Sequence, residues 1–307
     1  MAYPHPPDMT GTSPGPARCR RMDGNTRRLW LINNASSGSN DDTALAALAA
    51  CCADNGFAVA HRTQFPAQEL PTPALLEAAG IDRVAVFAGD GTINALLATL
   101  AGWSGAVLVL PGGTMNLLYH RLHGERPMEE VIALAGRDEA RMRRPGIVRS
   151  RHGDAFAGAL AGPGASWGRV REAMREFAVL DLATGTIKAI EDSLGGEQIA
   201  CVEPPLGRPE GYPLLMLTPH DQGIEVHAFH AESATDYLGQ AWALLRRNFR
   251  EGPNERLGWA DRLRIASTEG NPFGLLIDGE QVESAPSVEF WLAACEVDLL
   301  ATRGDEA

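Results

Sequence analysis

One acidic residue, Asp90, lies in a glycine-rich turn between an apolar segment and a segment with helical spacing. The turn is Gly89-Asp90-Gly91-Thr92. The residues before it, 83–88, are mostly apolar and are typical of a short buried parallel strand. After the turn, helical spacing is shown by Ile93, Leu96, Leu97 and Leu100. This pattern predicts an amphipathic helix that begins within a residue or two of Thr92.

The start of such a helix has a defined chemistry. Its free backbone N–H groups and partial positive charge favour a phosphate group. A carboxylate at Asp90 would repel that phosphate, unless a divalent cation lies between the two. The alternative is that Asp90 or Thr92 only caps the helix. Asn94 occupies the place of the third glycine of a dinucleotide fingerprint, and the GxxxxGK[ST] pattern of P-loop proteins is absent.

Two further polar turns follow segments that we predict to be strands. Leu29–Asn33 leads into the serine- and glycine-containing turn 34–40, and Ala106–Leu110 leads into the turn 111–116. The turn 111–116 ends in G-T-x-N, as does the segment 91–94. Alternating strands and helices predict a parallel sheet, whose strand-to-helix turns share the edge where such sheets bind ligands. The sequence therefore predicts a nucleotide phosphate site formed by three turns.

These motifs resemble those of the diacylglycerol kinase catalytic family, which also contains sphingosine and ceramide kinases. AGDGTIN is preceded by NASSG and followed by PGGTMN, whereas family members carry NPxSG, GGDGTxNE and PxGTxN in the same order. The sequence departs from the family at Ala35, Ala88 and Ala95, which replace a proline, a glycine and an acidic residue. The resemblance extends over most of residues 29–302 and is weaker in the second half. NAD kinases are distant relatives that share GGDGT.

The expected architecture has two domains. Residues 28–145 are expected to form an α/β nucleotide-binding domain with a parallel sheet. For residues 146–302, short β-type segments predict a mostly antiparallel domain, and the resemblance implies a β-sandwich that binds the lipid. Its last strand can return to the first domain. Residues 1–27, rich in proline, glycine and arginine, are predicted to be a disordered tail, and the chain can begin at Met1 or Met22.

The resemblance implies an ATP- and Mg²⁺-dependent lipid kinase that transfers the γ-phosphoryl group to a hydroxyl of diacylglycerol, a sphingoid base or ceramide. The implied metal ligands are Asp90 and Asp221. Asp221 begins DQGIEV, which is similar to a family segment that holds a structural magnesium, although an ordinary turn is the alternative. The implied nucleotide-binding residues are Asn34, Ser36, Ser37, Gly38, Thr63, Gly89, Asp90, Gly91, Thr92, Ile93, Asn94, Gly113, Thr114 and Asn116.

A second acidic motif, Asp278-Gly279-Glu280, lies between strand-like segments near the end of the chain. By itself, Asp-Gly in this setting indicates a β-hairpin turn. The family carries a DGE motif that is taken to supply the base for the lipid hydroxyl, so the resemblance implies that Asp278 and Glu280 are catalytic, together with Asp90. A carboxylate can accept the hydroxyl proton during phosphoryl transfer. We favour Glu280 as the base, with Asp278 orienting it or helping to hold the metal.

Composition limits the classes of binding partner and the cellular compartment that we expect for this protein. A net charge of −12 argues against broad nucleic-acid binding. No segment approaches the roughly 20 apolar residues of a membrane span. Five cysteines without CxxC spacing, and no signal-peptide pattern, indicate the cytoplasm. The arginines within 137–151 and near 246–250 are either solvated or face an anionic inner membrane surface.

Several other interpretations stay open or are set aside. The acceptor can instead be soluble, such as NAD, or the three alanine replacements can mark a nucleotide- or lipid-sensing module without turnover. His120, His123, His227 and His230 have no zinc-binding pattern around them and are expected to face solvent. Trp259 and Phe273, with Trp242 and Phe249, either wall an acyl-chain cleft or belong to the core.

Overall fold

The computed structural model describes residues 26–34, 42–162, 198–229 and 255–304. These residues form five helices: α1 (Asp42–Asp54), α2 (Pro73–Ala78), α3 (Asp90–Thr99), α4 (Leu117–His123) and α5 (Met128–Gly136). The first strands in the described ranges are β1 (Arg27–Asn34), β2 (Phe57–Phe65), β3 (Arg83–Ala88), β4 (Ala106–Pro111), β5 (Arg141–Arg143), β6 (Gly146–Ser150), β7 (Gly153–Ala155), β8 (Ala159–Gly162) and β9 (Ile199–Glu203). The later strands are β10 (Pro205–Leu206), β11 (Leu214–His220), β12 (Gly223–Phe229), β13 (Glu255–Ala260), β14 (Arg262–Ser267), β15 (Gly274–Ile277), β16 (Glu280–Val282), β17 (Ser287–Ala294) and β18 (Asp298–Ala301).

The first sheet has the order β2-β1-β3-β4-β18-β5 within the described residues. Its strands pair in parallel except β5, which runs antiparallel to β18. The chain passes from β1 to one neighbour, β2, and then crosses to the other side of β1 to form β3. The strand order therefore changes direction between β1 and β3, which is where open α/β sheets bind ligands.

One hydrophobic core joins this sheet to its helices. Residues 84–88 of β3 and 106–110 of β4 are all buried, as expected for strands covered by helices. Helix α1 packs against this core through Leu45, Leu48 and Cys52, which form its buried side. The four cysteines in the described part of the chain are free thiols.

The second half forms two antiparallel sheets, of order β10-β9-β14-β17-β6-β7 and β13-β12-β11-β8-β15-β16 in the described ranges. Side chains from both sheets belong to one core, including Ile265 and Phe290 of the first and Leu215 and Leu275 of the second. Two sheets around one core form a β-sandwich. The predicted fold class, an α/β domain with a parallel sheet plus a β-rich domain, is confirmed.

The chain enters the β-rich part between β5 and β6 and later returns to the first sheet. Leu299 of β18 pairs with Val107 of β4 on one side and with Arg143 of β5 on the other. The boundary at residues 145/146 stays a prediction. The predicted tail 1–27 falls almost wholly outside the described residues, although Arg27 is the first residue of β1.

Of the four histidines expected to face solvent, three lie in the described residues, and the expectation is wrong for all three. His120, His123 and His227 are all buried; His230 lies outside the described residues. His123 packs against the ring of Tyr119 and its Nδ1 lies 3.0 Å from Oγ1 of Thr302. The short helix α4 buries almost every side chain, because it lies against both β4 and β18.

Four arginines of the 137–151 segment, Arg137, Arg143, Arg144 and Arg149, have acidic partners. Arg144 donates two hydrogen bonds to Asp298, and Arg149 donates to Asp154 and Glu296. Arg137 pairs with Glu139. Such exposed pairs each contribute little to stability, but they offset much of the positive charge that an anionic membrane would attract. The segment near 246–250 lies outside the described residues.

The buried His123 makes stability depend on pH. Burial lowers the pKa of His123 to about 3, so between pH 6.5 and 3 the unfolded chain binds a proton that the folded protein does not. Stability therefore falls as the pH falls, by about 1.4 kcal/mol per pH unit from this group. We expect His123→Asn to have a shallower slope than the wild type in urea unfolding between pH 6 and 4.5. His61→Asn, at an exposed histidine, is the control, and equal slopes for all three proteins would contradict the assignment.

Candidate active site

The point where the strand order changes direction holds the first predicted turn residues. Asn34 ends β1, and Gly89 follows β3 and caps α3. Nδ2 of Asn34 donates to Oγ1 of Thr92 over 2.9 Å, which connects the two neighbouring turns at the ligand-binding edge of the sheet. The predicted Ser36, Ser37 and Gly38 lie outside the described residues.

The two G-T-x-N turns touch each other through their backbones. A Cβ on Gly113 would lie 2.5 Å from Cα of Gly89, and one on Gly112 would lie 2.4 Å from N of Ala88. Asn116, which caps α4 at φ 52°, closes its own turn because its amide accepts from N–H of Gly113 and donates to the carbonyl of Gly113. Glycine is therefore required at Gly113 so that the turns can approach this closely.

Asp90 is the first residue of α3 and is buried, with 7% of its surface exposed. The capping interpretation is wrong, because the cap residue of α3 is Gly89, which makes no side-chain cap hydrogen bond. Instead, Oδ1 of Asp90 accepts from N–H of Leu118 in α4 over 3.3 Å. Burial, and secondarily the charge of Asp278, raise the pKa of Asp90 to about 7. A carboxylate so unfavourably placed is the group that a bound cation would stabilise.

Asp278 lies in the two-residue turn of the β15–β16 hairpin. Both turn residues, Asp278 and Gly279, have positive φ, 47° and 81°, so the hairpin interpretation of Asp-Gly is also confirmed. Oδ1 of Asp278 accepts from N–H of Ala157 and Gly158, at 2.8 and 2.9 Å. Oδ2 accepts from N–H of Phe156 at 2.8 Å and from Nδ2 of Asn94 at 3.0 Å.

These contacts assign different properties to the two acidic residues of the hairpin. Each oxygen of Asp278 already accepts two hydrogen bonds, so the carboxylate has no lone pair left to accept another. Burial raises the pKa of Asp278, while the N–H groups lower it. Glu280, the first residue of β16, is exposed, and a Cβ on Gly91 would lie 3.6 Å from its Oε1. The exposed carboxylate of the pair is therefore Glu280, beside the nucleotide turn.

The remaining predicted residues are distributed around this centre. Thr63 is buried and accepts from Nε1 of Trp30 at 2.9 Å, whereas Thr114 is exposed in the second turn. The side chain of Ile93 is fully buried, and its N–H donates to the carbonyl of Gly89. Asp221 lies in the β11–β12 turn, 3.6 Å from the guanidinium of Arg143.

Sequence reasoning missed two components of the site. One is the set of backbone N–H groups at residues 156–158, which bind Asp278 and have no signature in side-chain types. The other is Arg121 of α4, whose guanidinium donates to carbonyls at Gly146, Phe156 and Pro219. A single arginine in a helix predicts only a solvated charge, so no pattern pointed to this residue.

The donor set fits a magnesium ion held by few protein ligands. Among the described residues there is no group of three or more histidine, cysteine or acidic side chains that could hold a metal. Magnesium usually keeps several waters and binds one or two carboxylates together with substrate phosphates. Asp90 meets that requirement, because it is buried next to a second negative charge at the start of a helix.

The contact between the two turns yields a prediction about stability. Gly113→Ala would place a methyl group 2.5 Å from Cα of Gly89, so a backbone must move, whereas Gly89→Ala would meet Cα of Gly113 at 3.6 Å, an ordinary contact. We expect Gly113→Ala to cost about 1–3 kcal/mol in urea unfolding and Gly89→Ala clearly less. Equal losses in the matched pair would show that the turns are not in contact.

Comparison with known proteins shows a family match and a similar fold. Residues 28–144 match the family model described as the diacylglycerol kinase catalytic domain. A crystal structure of a diacylglycerol kinase from Bacillus anthracis str. Sterne is 13% identical, with a TM-score of 0.57 over 91% of this chain and 98% of that chain. A second structure, of a candidate diacylglycerol kinase from the same organism, is 14% identical, with a TM-score of 0.59 over 91% of this chain and 99% of that chain.

No curated protein matches the sequence. At 13–14% identity the solved structures show a shared fold, whereas the family model is matched by the segment that carries both G-T-x-N turns. The resemblance inferred from the motifs is therefore confirmed, and the matched family is one of kinases. Over residues 28–144 this chain is similar to the diacylglycerol kinase catalytic-domain family.

Proposed function

We propose that this protein is an ATP- and magnesium-dependent lipid kinase that transfers the γ-phosphoryl group of ATP to the hydroxyl of a diacylglycerol, sphingoid base or ceramide. The observation that carries the proposal is the placement of Asp90. This carboxylate is buried at the first residue of α3, between two touching glycine turns, and the charge of Asp278 acts on it. Without a cation and an anionic ligand the arrangement would be unfavourable.

The nucleotide triphosphate would bind at the two G-T-x-N turns and at the turn after β1. Helix α3 starts at Asp90, directly after Gly89, and presents its first N–H groups at the ligand-binding edge. The hydroxyl of Thr114 is exposed in the second turn, while the hydroxyl of Thr92 is held by Asn34. Thr114 is therefore placed to donate to a phosphate, and Thr92 and Asn34 to fix the shape of the first turn.

Asp90 is the residue that would hold magnesium. When bound, magnesium supplies positive charge that stabilises the transferring phosphoryl group. The carboxylate of Asp90 keeps its orientation because Leu118 N–H donates to Oδ1. Asp221, in the β11–β12 turn beside Arg143, stays a candidate for a separate structural cation.

Glu280 is the group that would accept the proton of the attacking hydroxyl. Its carboxylate is exposed, and its Oε1 is next to Gly91 of the nucleotide turn. The oxygens of Asp278, in contrast, accept N–H groups from Asn94 and residues 156–158, which leaves this carboxylate to fix the position of the hairpin. The two acids of the DGE motif thus have separate roles, a base and an anchor.

The lipid acceptor is proposed on the basis of the matched family. No helix in the described part of the chain is long and apolar enough to cross a membrane, so we propose that the protein meets lipid peripherally, at the cytoplasmic face. Of the two cleft candidates in the described ranges, Phe273 is buried in the sandwich core, whereas Trp259 on β13 is 42% exposed and can meet a ligand. Trp242 and Phe249 lie outside the described residues.

The direct test is phosphoryl transfer from labelled ATP with Mg²⁺ to a panel of diacylglycerol, sphingoid base, ceramide and NAD. Label in one of the three lipids is the expected result. Label in NAD alone would replace the lipid with a soluble acceptor. Nucleotide binding without transfer to any acceptor would instead favour a sensing module, in line with the alanines at Ala35, Ala88 and Ala95.

In the same assay, Asp90→Asn is expected to lower kcat by at least about 10²-fold, because the charge that holds the metal is lost. The asparagine oxygen can still accept from Leu118 N–H, and the repulsion from Asp278 disappears. The melting temperature should therefore be unchanged or higher than in the wild type, with an unchanged circular dichroism spectrum. Turnover like that of the wild type would remove the basis for the metal site.

Glu280→Gln is expected to lower kcat by roughly 10²–10⁴-fold, since glutamine cannot accept the hydroxyl proton. The KM for ATP should change little, because the amide occupies the same volume beside Gly91. The matched control is Glu283→Gln, which removes an exposed carboxylate just beyond β16. A similar loss of kcat in both variants would contradict a specific role for Glu280 and favour a general effect of charge.

A further inference from the structure

A single arginine connects the second nucleotide turn with three segments of the β-rich domain. Arg121 belongs to α4, the helix that starts directly after the turn 113–116. One nitrogen of its guanidinium donates to the carbonyl of Gly146 at 2.8 Å and also to that of Phe156. The other donates to the carbonyl of Pro219 at 3.0 Å. These carbonyls belong to the start of β6, the segment after β7 and the end of β11.

The segment formed by Phe156, Ala157 and Gly158, here called the 156–158 loop, lies between a cation and an anion. Its three N–H groups donate to the carboxylate of Asp278, while the carbonyl of Phe156 accepts from Arg121. The carbonyl of Gly158 accepts from N–H of Asp278 at 3.0 Å. The loop is thus bound on one side to the hairpin that carries Glu280 and on the other side to α4.

The same carboxylate is bound to the first nucleotide turn as well. Nδ2 of Asn94, in the second turn of α3, donates to Oδ2 of Asp278. Asp278 is therefore connected to α3 directly and to α4 through the 156–158 loop. Because Glu280 is two residues beyond Asp278, these two connections hold the hairpin turn that brings Glu280 beside Gly91.

The contacts of Arg121 require its particular chemistry. Burial lowers the pKa of Arg121 to about 10, although the nearby charges of Asp278 and Asp221 act in the opposite direction and raise it. The side chain therefore stays charged at neutral pH. Hydrogen bonds from a charged donor are stronger than neutral ones. A planar guanidinium can hold several carbonyls in fixed directions, whereas the ammonium group of lysine is a compact point charge on a flexible chain.

We propose that Arg121 is a positioning residue for phosphoryl transfer: by holding the 156–158 loop against Asp278, it keeps the Glu280 carboxylate in place beside the nucleotide turn. This role rests on the proposed function. Arg121 contacts neither Glu280 nor, in this assignment, the substrates. Its removal therefore changes the geometry of the acceptor side and leaves the nucleotide turns in place.

The first test uses the protein without substrate. Hydrogen exchange of the amides at residues 156–158 is compared in the wild type, Arg121→Met and Arg144→Met. The control, Arg144→Met, also removes an arginine that donates two hydrogen bonds, but to Asp298 at the protein surface. We expect exchange at these amides to rise about tenfold or more in Arg121→Met alone. Unchanged exchange in Arg121→Met would overturn the proposal.

The second test is kinetic and uses the lipid that accepts label in the transfer assay. We expect Arg121→Met to lower kcat by about 10- to 100-fold with little change in the KM for ATP, as expected for a small displacement of a catalytic group. The kcat of Arg121→Lys, which keeps the charge, should lie between the kcat of the wild type and that of Arg121→Met. If Arg121→Met does not fold, Arg121→Lys replaces it in this test. A normal kcat, or a loss confined to the KM for ATP, would overturn the positioning role.

The two tests separate this inference from the proposed function. If the wild type transfers phosphate to none of the acceptors, the proposed function fails, and with it the catalytic consequence of Arg121. The exchange measurement still decides whether Arg121 holds the loop, because it requires neither ATP nor lipid. If the wild type is active and Arg121→Met equals Arg144→Met in both tests, only the inference about Arg121 fails.

Discussion

The arrangement of the whole site depends on one buried carboxylate that is shared by the two halves of the molecule. The oxygens of Asp278 accept N–H groups from Asn94 in the α/β domain and from residues 156–158 in the β-rich domain. Hydrogen bonds to a charged acceptor are individually stronger than neutral ones, and an unpaired buried carboxylate is costly. The relative position of the two halves near the site is thus fixed by a group that the protein must keep paired.

The second constraint is the nearness of two buried negative charges. The charge of Asp278 adds to burial in raising the pKa of Asp90, although Asp278 itself is offset by its N–H partners. Asp90 accepts from N–H of Leu118 at the longer distance of 3.3 Å, and the N–H groups of Leu117 and of Asp90 itself also lower its pKa. Burial and the charge of Asp278 nevertheless raise the pKa of Asp90 to about 7, so Asp90 is the acid that a bound cation would stabilise.

Much of the fold follows from the sequence because local patterns and burial agree. The strand 83–88, the start of α3 within two residues of Thr92 and the Asp-Gly hairpin all follow from apolar periodicity and turn chemistry. The contact between Gly89 and Gly113 could be predicted only as a shared edge, since the touching of two backbones depends on strand spacing. Apart from Asn94, the hydrogen-bond partners of Asp278 and Arg121 are backbone groups, which every residue type supplies, so the sequence does not indicate them. The burial of His120 and His123 was missed because α4 packs against β18, a strand that is distant in sequence.

The return of β18 to the first sheet has a consequence for biosynthesis. β4 pairs with β3 on one side, and its other neighbour in the sheet is β18, which lies almost at the end of the chain. While the ribosome is still translating the β-rich half, the apolar β4 has an open edge, and such edges invite pairing with other chains. The parallel sheet is completed only after Asp298 has emerged from the exit tunnel. Premature termination shortly before that residue would leave a nascent protein with this edge uncovered.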